Sequence, residues 1–279
     1  MRVKGWIFGV AALALVVCGC DGDGKAARAR LDKAREMYAT NDLFGAKNEI
    51  DSIRALYPKE VDVLRESLSL MREVELREAE RNIAYCDSML PIKEAEAAEL
   101  TKGFTFEKDS VYEEVGNYIW KQQTIERNVQ RCYIRCGVSE KGEMYLASVY
   151  FGGHPISHTG IRLSLKDGQF ATTASIPFDG GLNYRFKDMG NTTEVVTYKG
   201  ENGMEAIKFI YVNQKERIKV EYTGGKPYVI YIADGDKRAI VATYDLATVL
   251  SDVENMRTLK AKSEKKIAYL KAKLTDDGE

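Results

Sequence analysis

Between residues 27 and 100 the apolar positions recur every three or four residues, the spacing of one face of a helix. Ala27, Leu31, Ala34 and Tyr38 line a first helix over 26–39. Leu43, Ala46, Ile50, Ile53 and Tyr57 line a second, with Asn41 or Asp42 as its N-cap and Pro58 as its stop. A third helix begins near Glu60 and is long. Its stripe runs Val61, Leu64, Leu68, Met71 and then, after a shift in phase, Leu76, Ala79, Ile83, Cys86, Leu90. Each run keeps heptad spacing, and the shift hands the apolar face to a different partner or changes the supercoil locally.

At Lys102-Gly103 the period changes. From there to about 233, aromatic and β-branched residues alternate with polar ones, and turn residues punctuate them. The expected strands are 129–138, 143–151, 159–166, 169–176, 182–187, 193–199, 205–212, 216–223 and 227–233. Hairpin turns fall at Glu140-Lys-Gly142, Lys166-Asp-Gly-Gln169, Gly200-Glu-Asn-Gly203, Asn213-Gln-Lys215 and Gly224-Gly225. Short connections of this kind join antiparallel neighbours, so a sandwich or a curved meander is expected. Phe104-Thr-Phe106 reads as a strand, and Tyr112 to Trp120 as strand or loop.

Helical spacing returns after Asp234-Gly-Asp236. A heptad stripe passes through Leu246, Val249, Val253, Met256, Lys260, Ser263, Ile267, Leu270 and Leu274, weakened at Lys260 and Ser263. The predicted fold class is therefore α+β. An N-terminal helical region over 27–100 and a C-terminal long helix over 236–275 bracket an inserted antiparallel β domain over 101–235. If the two long stripes pair antiparallel, they form a coiled-coil-like stalk on the order of 40–50 Å, from about thirty residues at 1.5 Å each. If each finds a symmetry mate instead, the protein is a parallel oligomer.

The start of the chain carries a different signal. Met1-Arg2-Val3-Lys4 is short and positive, and an uninterrupted stretch from Gly5 to Val17 follows. That stretch has the length of a signal-peptide core and falls short of a bilayer-spanning helix. Val17-Cys18-Gly19-Cys20 then resembles a bacterial lipobox, with a small residue just before Cys20. The resemblance implies a signal peptide over 1–19, lipidation of Cys20 and a tether over 20–26. It points to bacterial lipoproteins of the Bacteroidota, whose acidic residues past the cysteine, here Asp21 and Asp23, resemble a surface-export signal. The body of the chain resembles uncharacterised envelope lipoproteins of that kind. The expected location is then the cell envelope, at the periplasmic or surface face of the outer membrane. Two or three acyl chains hold a protein firmly where one does not. The first two helices also resemble one tetratricopeptide repeat at Ala46, Ile50 and Pro58. The aromatic and glycine positions of that repeat's first helix are unmatched and no second copy follows, so an ordinary helical hairpin is expected.

Composition narrows the functional classes. The net charge of −1 offers no electrostatic footprint for nucleic acid or a polybasic membrane surface. Besides the lipobox pair the cysteines are Cys86, Cys132 and Cys136, an odd number. Cys132 and Cys136, four residues apart on one strand, are separated by roughly 13 Å, too far for a disulfide.

Candidate chemistry is sparse. His154 and His158 flank Pro155 in a glycine-bordered loop without a clustered cysteine or acid, so neither a metal nor a cofactor is expected. Ser157 beside His158 lacks a nucleophile elbow. Glu113-Glu114, Asp179, Asp188 and Glu194 are the carboxylates that a glycosidase could pair, but their turn and strand positions suit solvent-facing acids. No catalytic residue is assigned, and an enzyme is the last-ranked class. Tyrosines crowd the β segment, as half-buried strands favour, and a minority reading makes them a binding face. Its preferred rim is the loop Pro177–Arg185, with Asp179, Asn183, Tyr184 and Arg185 as ligand-binding residues. The expected function is a membrane-anchored, non-enzymatic adaptor or scaffold, bound through the lipid on Cys20. It would contact a protein partner, or a second copy of itself, through its helices and β domain. The alternative is a glycan- or peptide-binding surface lipoprotein.

Overall fold

The computed structural model describes residues 20–108 and 114–276. The export signal, Tyr112 and Glu113 lie outside the described residues, as do the side chains of Cys20 and Leu274. The chain is α+β, with five α-helices and ten strands among the described residues. It divides into two compact units, one of the residues up to Ile83 with those from Lys262 onward, the other Ala84–Ala261.

The first unit contains α1 (Cys20–Ala39), α2 (Leu43–Leu56) and the start of α3 (Val61–Thr101). Helix α1 includes Cys20, so residues 21–26, expected as a tether, are helical. Asp42 is the N-cap of α2, its carboxylate accepting from the Gly45 N–H at 2.9 Å. The stripes of α1 and α2 are buried as their spacing predicts: Ala27, Leu31, Ala34, Leu43, Ala46, Ile50 and Ile53. On α3 the phase differs. Val63, Ser67, Leu70 and Val74 are buried, whereas Val61 and Leu68 are exposed. Ser67 disguised the stripe: a hydroxyl donating to the Leu64 carbonyl at 2.8 Å satisfies itself within the helix and can be buried cheaply. The Arg77 guanidinium lies over the Tyr38 ring at 3.8 Å. From α5 (Asp234–Asp276), Ser263 and Leu270 are buried, and Lys266 pairs with Glu75 on α3 at 3.1 Å.

In the second unit α3 and α5 again lie side by side and antiparallel, with ion pairs Glu94–Arg257 at 2.6 Å and Lys93–Asp252 at 3.4 Å and a further pair between Asp87 and Lys260. The strands between them in the chain are β1 (Phe104–Glu107), β2 (Asn117–Trp120), β3 (Tyr133–Ser139), β4 (Met144–Gly152), β5 (Gly160–Ser164), β6 (Phe170–Thr172), β7 (Asn183–Asp188), β8 (Asn191–Lys199), β9 (Lys219–Thr223) and β10 (Tyr228–Tyr231). They form two antiparallel sheets, ordered β1-β2-β3-β4-β8-β7 and β10-β9-β5-β6. One core joins both sheets to α5, with Ile134, Leu146, Val196 and Tyr198 from the larger sheet, Leu163 and Val220 from the smaller, and Ala239, Leu246 and Leu250 from the helix. Gly142 in the β3–β4 turn has φ +85, and a Cβ there would lie 2.3 Å from the Ser251 amide of α5, so only glycine fits.

The expected strand over 205–212 is instead the greater part of a helix, α4 (Glu201–Val212). Its buried residues are Gly203, Ala206, Ile207 and Ile210, spaced for a helix. β-Branched and aromatic residues there imitated a strand, but burial against the sheet at three- and four-residue intervals decides the state. Gly200, at φ +55, ends β8 and starts α4 rather than closing a hairpin. Cys86, Cys132 and Cys136 are free thiols. Among the described residues no helix is long and apolar enough to cross a membrane.

Candidate functional site

The loop before β7 folds around its acid. Asp179 Oδ1 accepts from the N–H groups of Gly181 at 2.8 Å and Asn183 at 2.9 Å. Those hydrogen bonds hold the exposed carboxyl below the usual aspartate range. Asn183 is buried, and its side-chain amide donates to the Ile176 carbonyl at 2.7 Å and the His158 carbonyl at 3.2 Å. Arg185 remains at the surface, stacked on Phe178 and donating to Ser157 Oγ at 3.1 Å. Tyr184 leaves the group, because alternation along β7 sends it to the opposite face of the sheet, where it packs with Tyr133, Ala147, Val149 and Val195. The four expected ligand residues therefore do not form one rim. The cavity beside Asn183 and Arg185 measures about 80 Å³, room for water and little else.

That loop instead covers a buried polar chain that the spacing of residues did not announce. Glu194 on β8 and Ser148 on β4 face inward with His158, all almost without exposure. His158 Nδ1 lies 2.9 Å from Glu194 Oε2, its Nε2 lies 2.9 Å from Ser148 Oγ, and Ser148 Oγ lies 2.8 Å from the Tyr198 hydroxyl. Glu194 also accepts from the backbone N–H groups of Ser157 at 2.8 Å and His158 at 3.2 Å, holding Ser157 at φ +57. Burial lowers the His158 pKa below its ordinary 6.5, and the Glu194 carboxylate offsets this only in part. Burial alone would raise Glu194, but the hydrogen bonds from Ser157 and His158 outweigh it and leave its carboxyl below the ordinary 4.5. With the imidazole neutral, Nδ1–H donates to Glu194 and Nε2 accepts from Ser148, which in turn accepts from Tyr198.

The serine, histidine and carboxylate are ordered as in a hydrolase triad. Ser148 Oγ, however, has no exposed surface, and the Tyr198 hydroxyl occupies its other side. A substrate carbonyl has no path to it, so the chain acts as a tie between the loop and the sheet. Glu194, expected to face solvent, is buried. Its parity with Val196 and Tyr198 along β8 was the available signal. His154 is exposed, with its carbonyl accepting from the Tyr150 hydroxyl at 2.9 Å. Among the described residues no cluster of three metal-ligating side chains forms.

The outer face of the same sheet is different in kind. Tyr133, Val149, Val195, Tyr184 and Phe186 line a cavity of about 160 Å³, rimmed by Ile125 and Val129 from the segment before β3 and by Met189 from the β7–β8 turn. Ile125, Val129, Phe186 and Met189 are each exposed by half or more, Met189 by 90%. Tyr184 and Phe186 stack nearly parallel, with ring centroids 6.4 Å apart. Two guanidiniums also line the cavity. Arg131 stacks on Tyr133 and is tied to Asp236 and, at 2.8 Å, to Asn128. Asp236 is itself fixed by Gln123 at 3.1 Å, and burial raises its carboxyl above the ordinary value despite the arginine. Arg135 is held by far less: its Nη2 is 3.9 Å from Glu107, and its buried Nε has no hydrogen-bond partner among the described residues.

Neither a known protein family, nor a curated protein, nor a solved structure matches the chain.

Proposed function

We propose that the chain is a lipid-anchored, non-enzymatic lipoprotein of the bacterial cell envelope. Cys20 holds it at the outer membrane, and the outer face of its six-stranded sheet captures a protein partner. One observation carries this reading: four large apolar side chains stand exposed around a single aromatic-lined cavity. A grouped apolar patch with a polar rim is characteristic of an interaction surface, whereas scattered exposed residues are not.

The helices are the weaker choice of docking element. Their buried stripes are satisfied within each unit, and the flanking charges of α3 and α5 pair with one another. A glycan is the weaker choice of ligand. Sugars stack on flat, open rings, but Tyr133 is buried, and of the four exposed apolar side chains around the cavity only Phe186 is aromatic.

The test is site-specific photo-crosslinking in intact cells, from position 189 and from the exposed position 85 on α3, in chains with Cys20 and with Cys20→Ala. A discrete protein adduct from 189 alone, lost with Cys20→Ala, is the expected result. An adduct from 85 alone would move docking to the helices. Unchanged membrane fractionation of Cys20→Ala would remove the lipid anchor from the proposal.

A further inference from the structure

The cavity on the outer face holds about 160 Å³, below the several hundred Å³ of pockets that enclose a whole small ligand. It has room for a single branched or aromatic side chain. Its walls there are Val149, Val195 and the rings of Tyr133 and Tyr184, chiefly apolar surface.

At its edge the two arginines differ. Arg131 is neutralised by Asp236. Arg135 is only 15% exposed, lies beyond hydrogen-bond distance of Glu107 and has an unpartnered Nε among the described residues. A guanidinium taken largely out of water with hydrogen bonds unmade favours any anion that can supply them, and its planar fork suits a carboxylate. Rotation of the side chain towards the cavity would present Nε together with an Nη.

We infer that the outer face recognises a peptide segment in which a large apolar side chain fills the cavity and an adjacent carboxylate pairs with Arg135. This deepens the docking reading above and rests on it. Arg135 is the specificity-determining residue, and the apolar walls supply the rest of the contact.

The test is selection of a random twelve-residue peptide library on the full chain in detergent. Affinities of the selected peptides and their Asp→Asn or Glu→Gln counterparts are then measured against the wild type, Arg135→Gln, Arg135→Lys and Val195→Glu. Enriched peptides are expected to join an aliphatic or aromatic residue to an acid. Removing that acid should weaken binding about tenfold to a hundredfold, as for a charged hydrogen bond, in the wild type but not in Arg135→Gln. Arg135→Lys should recover only part of the loss. Equal loss in wild type and Arg135→Gln, with Val195→Glu still abolishing binding, overturns the role of Arg135 and leaves the docking face standing. Binding indifferent to Val195→Glu, or no enrichment, overturns both. Self-association that Arg135→Gln abolishes puts a second copy in the groove and overturns a separate partner. Arg135→Gln removes a poorly paired charge, so its unchanged thermal melting serves as the folding control.

Discussion

On β4, Ser148 points into the core and Val149 points out of it; on β8, Glu194 points in and Val195 out. A simple expectation would have reversed both pairs. The polar side chains go inward because they complete one another: Tyr198, Ser148, His158 and Glu194 close into a chain in which each buried group finds a partner. The apolar side chains go outward into a second cluster with Tyr133 and Tyr184, beside Arg135, whose Nε has no hydrogen-bond partner among the described residues. Apolar character alone therefore does not identify the core. A polar side chain goes to the interior where partners from distant strands meet it, whatever its neighbours in sequence.

The largest effect should come from the inner chain. Glu194→Ala strands two backbone N–H groups and the His158 ring, and should cost about 3–5 kcal/mol, as for a broken buried pair. Urea denaturation measures it, and a loss under about 1 kcal/mol would contradict the closed chain. Acid should act on the same chain. Both residues have folded pKa values below their unfolded ones, so the unfolded state binds more protons below each unfolded value. Stability should be greatest above about pH 6.5. It should fall first as the unfolded state's histidine protonates, and again below about pH 4.5, where Glu194 contributes. Melting temperatures across pH 4–8 should lose the upper step in His158→Gln; retention of that step would assign it to another group.

A neighbouring pair of substitutions sharpens the contrast between faces. Ser148→Val leaves His158 Nε2 unpaired and takes from the Tyr198 hydroxyl one of its two side-chain partners, Ser148 and Thr173, and should cost about 2–3 kcal/mol. Val149→Thr, one residue away and also buried but with no polar partner to strand, should cost less, about 1 kcal/mol. Comparable losses would mean that depriving Tyr198 and His158 of Ser148 adds nothing to the cost on the inner face.

The smallest effect has the opposite sign. Met189 and Gly190, at φ +44 and +83, form the two-residue turn closed by Asp188 and Asn191. Asparagine suits the first position of such a turn better than methionine does. Met189→Asn should therefore stabilise by about 0.5–1 kcal/mol while weakening capture of the partner. A stabilised variant with unchanged capture would show that the Met189 side chain has no part in docking.

Much of the helical architecture was legible because a helix declares its buried face locally. Ala27, Leu31, Ala34, Leu43, Ala46, Ile50 and Ile53 on α1 and α2, and Leu246, Val249, Val253 and Leu270 on α5, were readable from spacing alone and are buried. The exception is instructive: Ser67, outside the stripe read for α3, is buried, because its hydroxyl bonds within its own turn. Strand positions were also legible, except in 205–212. There β propensity and helical spacing disagreed, and contact with the sheet favoured the spacing.

The binding residues were less legible. Asp179, Asn183, Tyr184 and Arg185 lie together in sequence, but strand alternation divides Tyr184 from Asn183 and Arg185. The outer-face cavity draws its walls from β3, β4, β7 and β8 and from the segment before β3, positions between 125 and 195 that no local pattern associates.

The amino-acid sequence by itself determined most of which segments are helix and which alternate as strand, 205–212 excepted, because those periods arise from backbone geometry and act between near neighbours. It also determined the net charge and the lipobox-like start of the chain. Only the tertiary structure decided which face of the large sheet is core, that Glu194 and Ser148 are interior, and that Arg135 Nε stands without a partner among the described residues beside an apolar cavity. Those outcomes depend on which groups from distant strands come within hydrogen-bond reach, and a pairing energy of that kind has no counterpart in any single stretch of the chain.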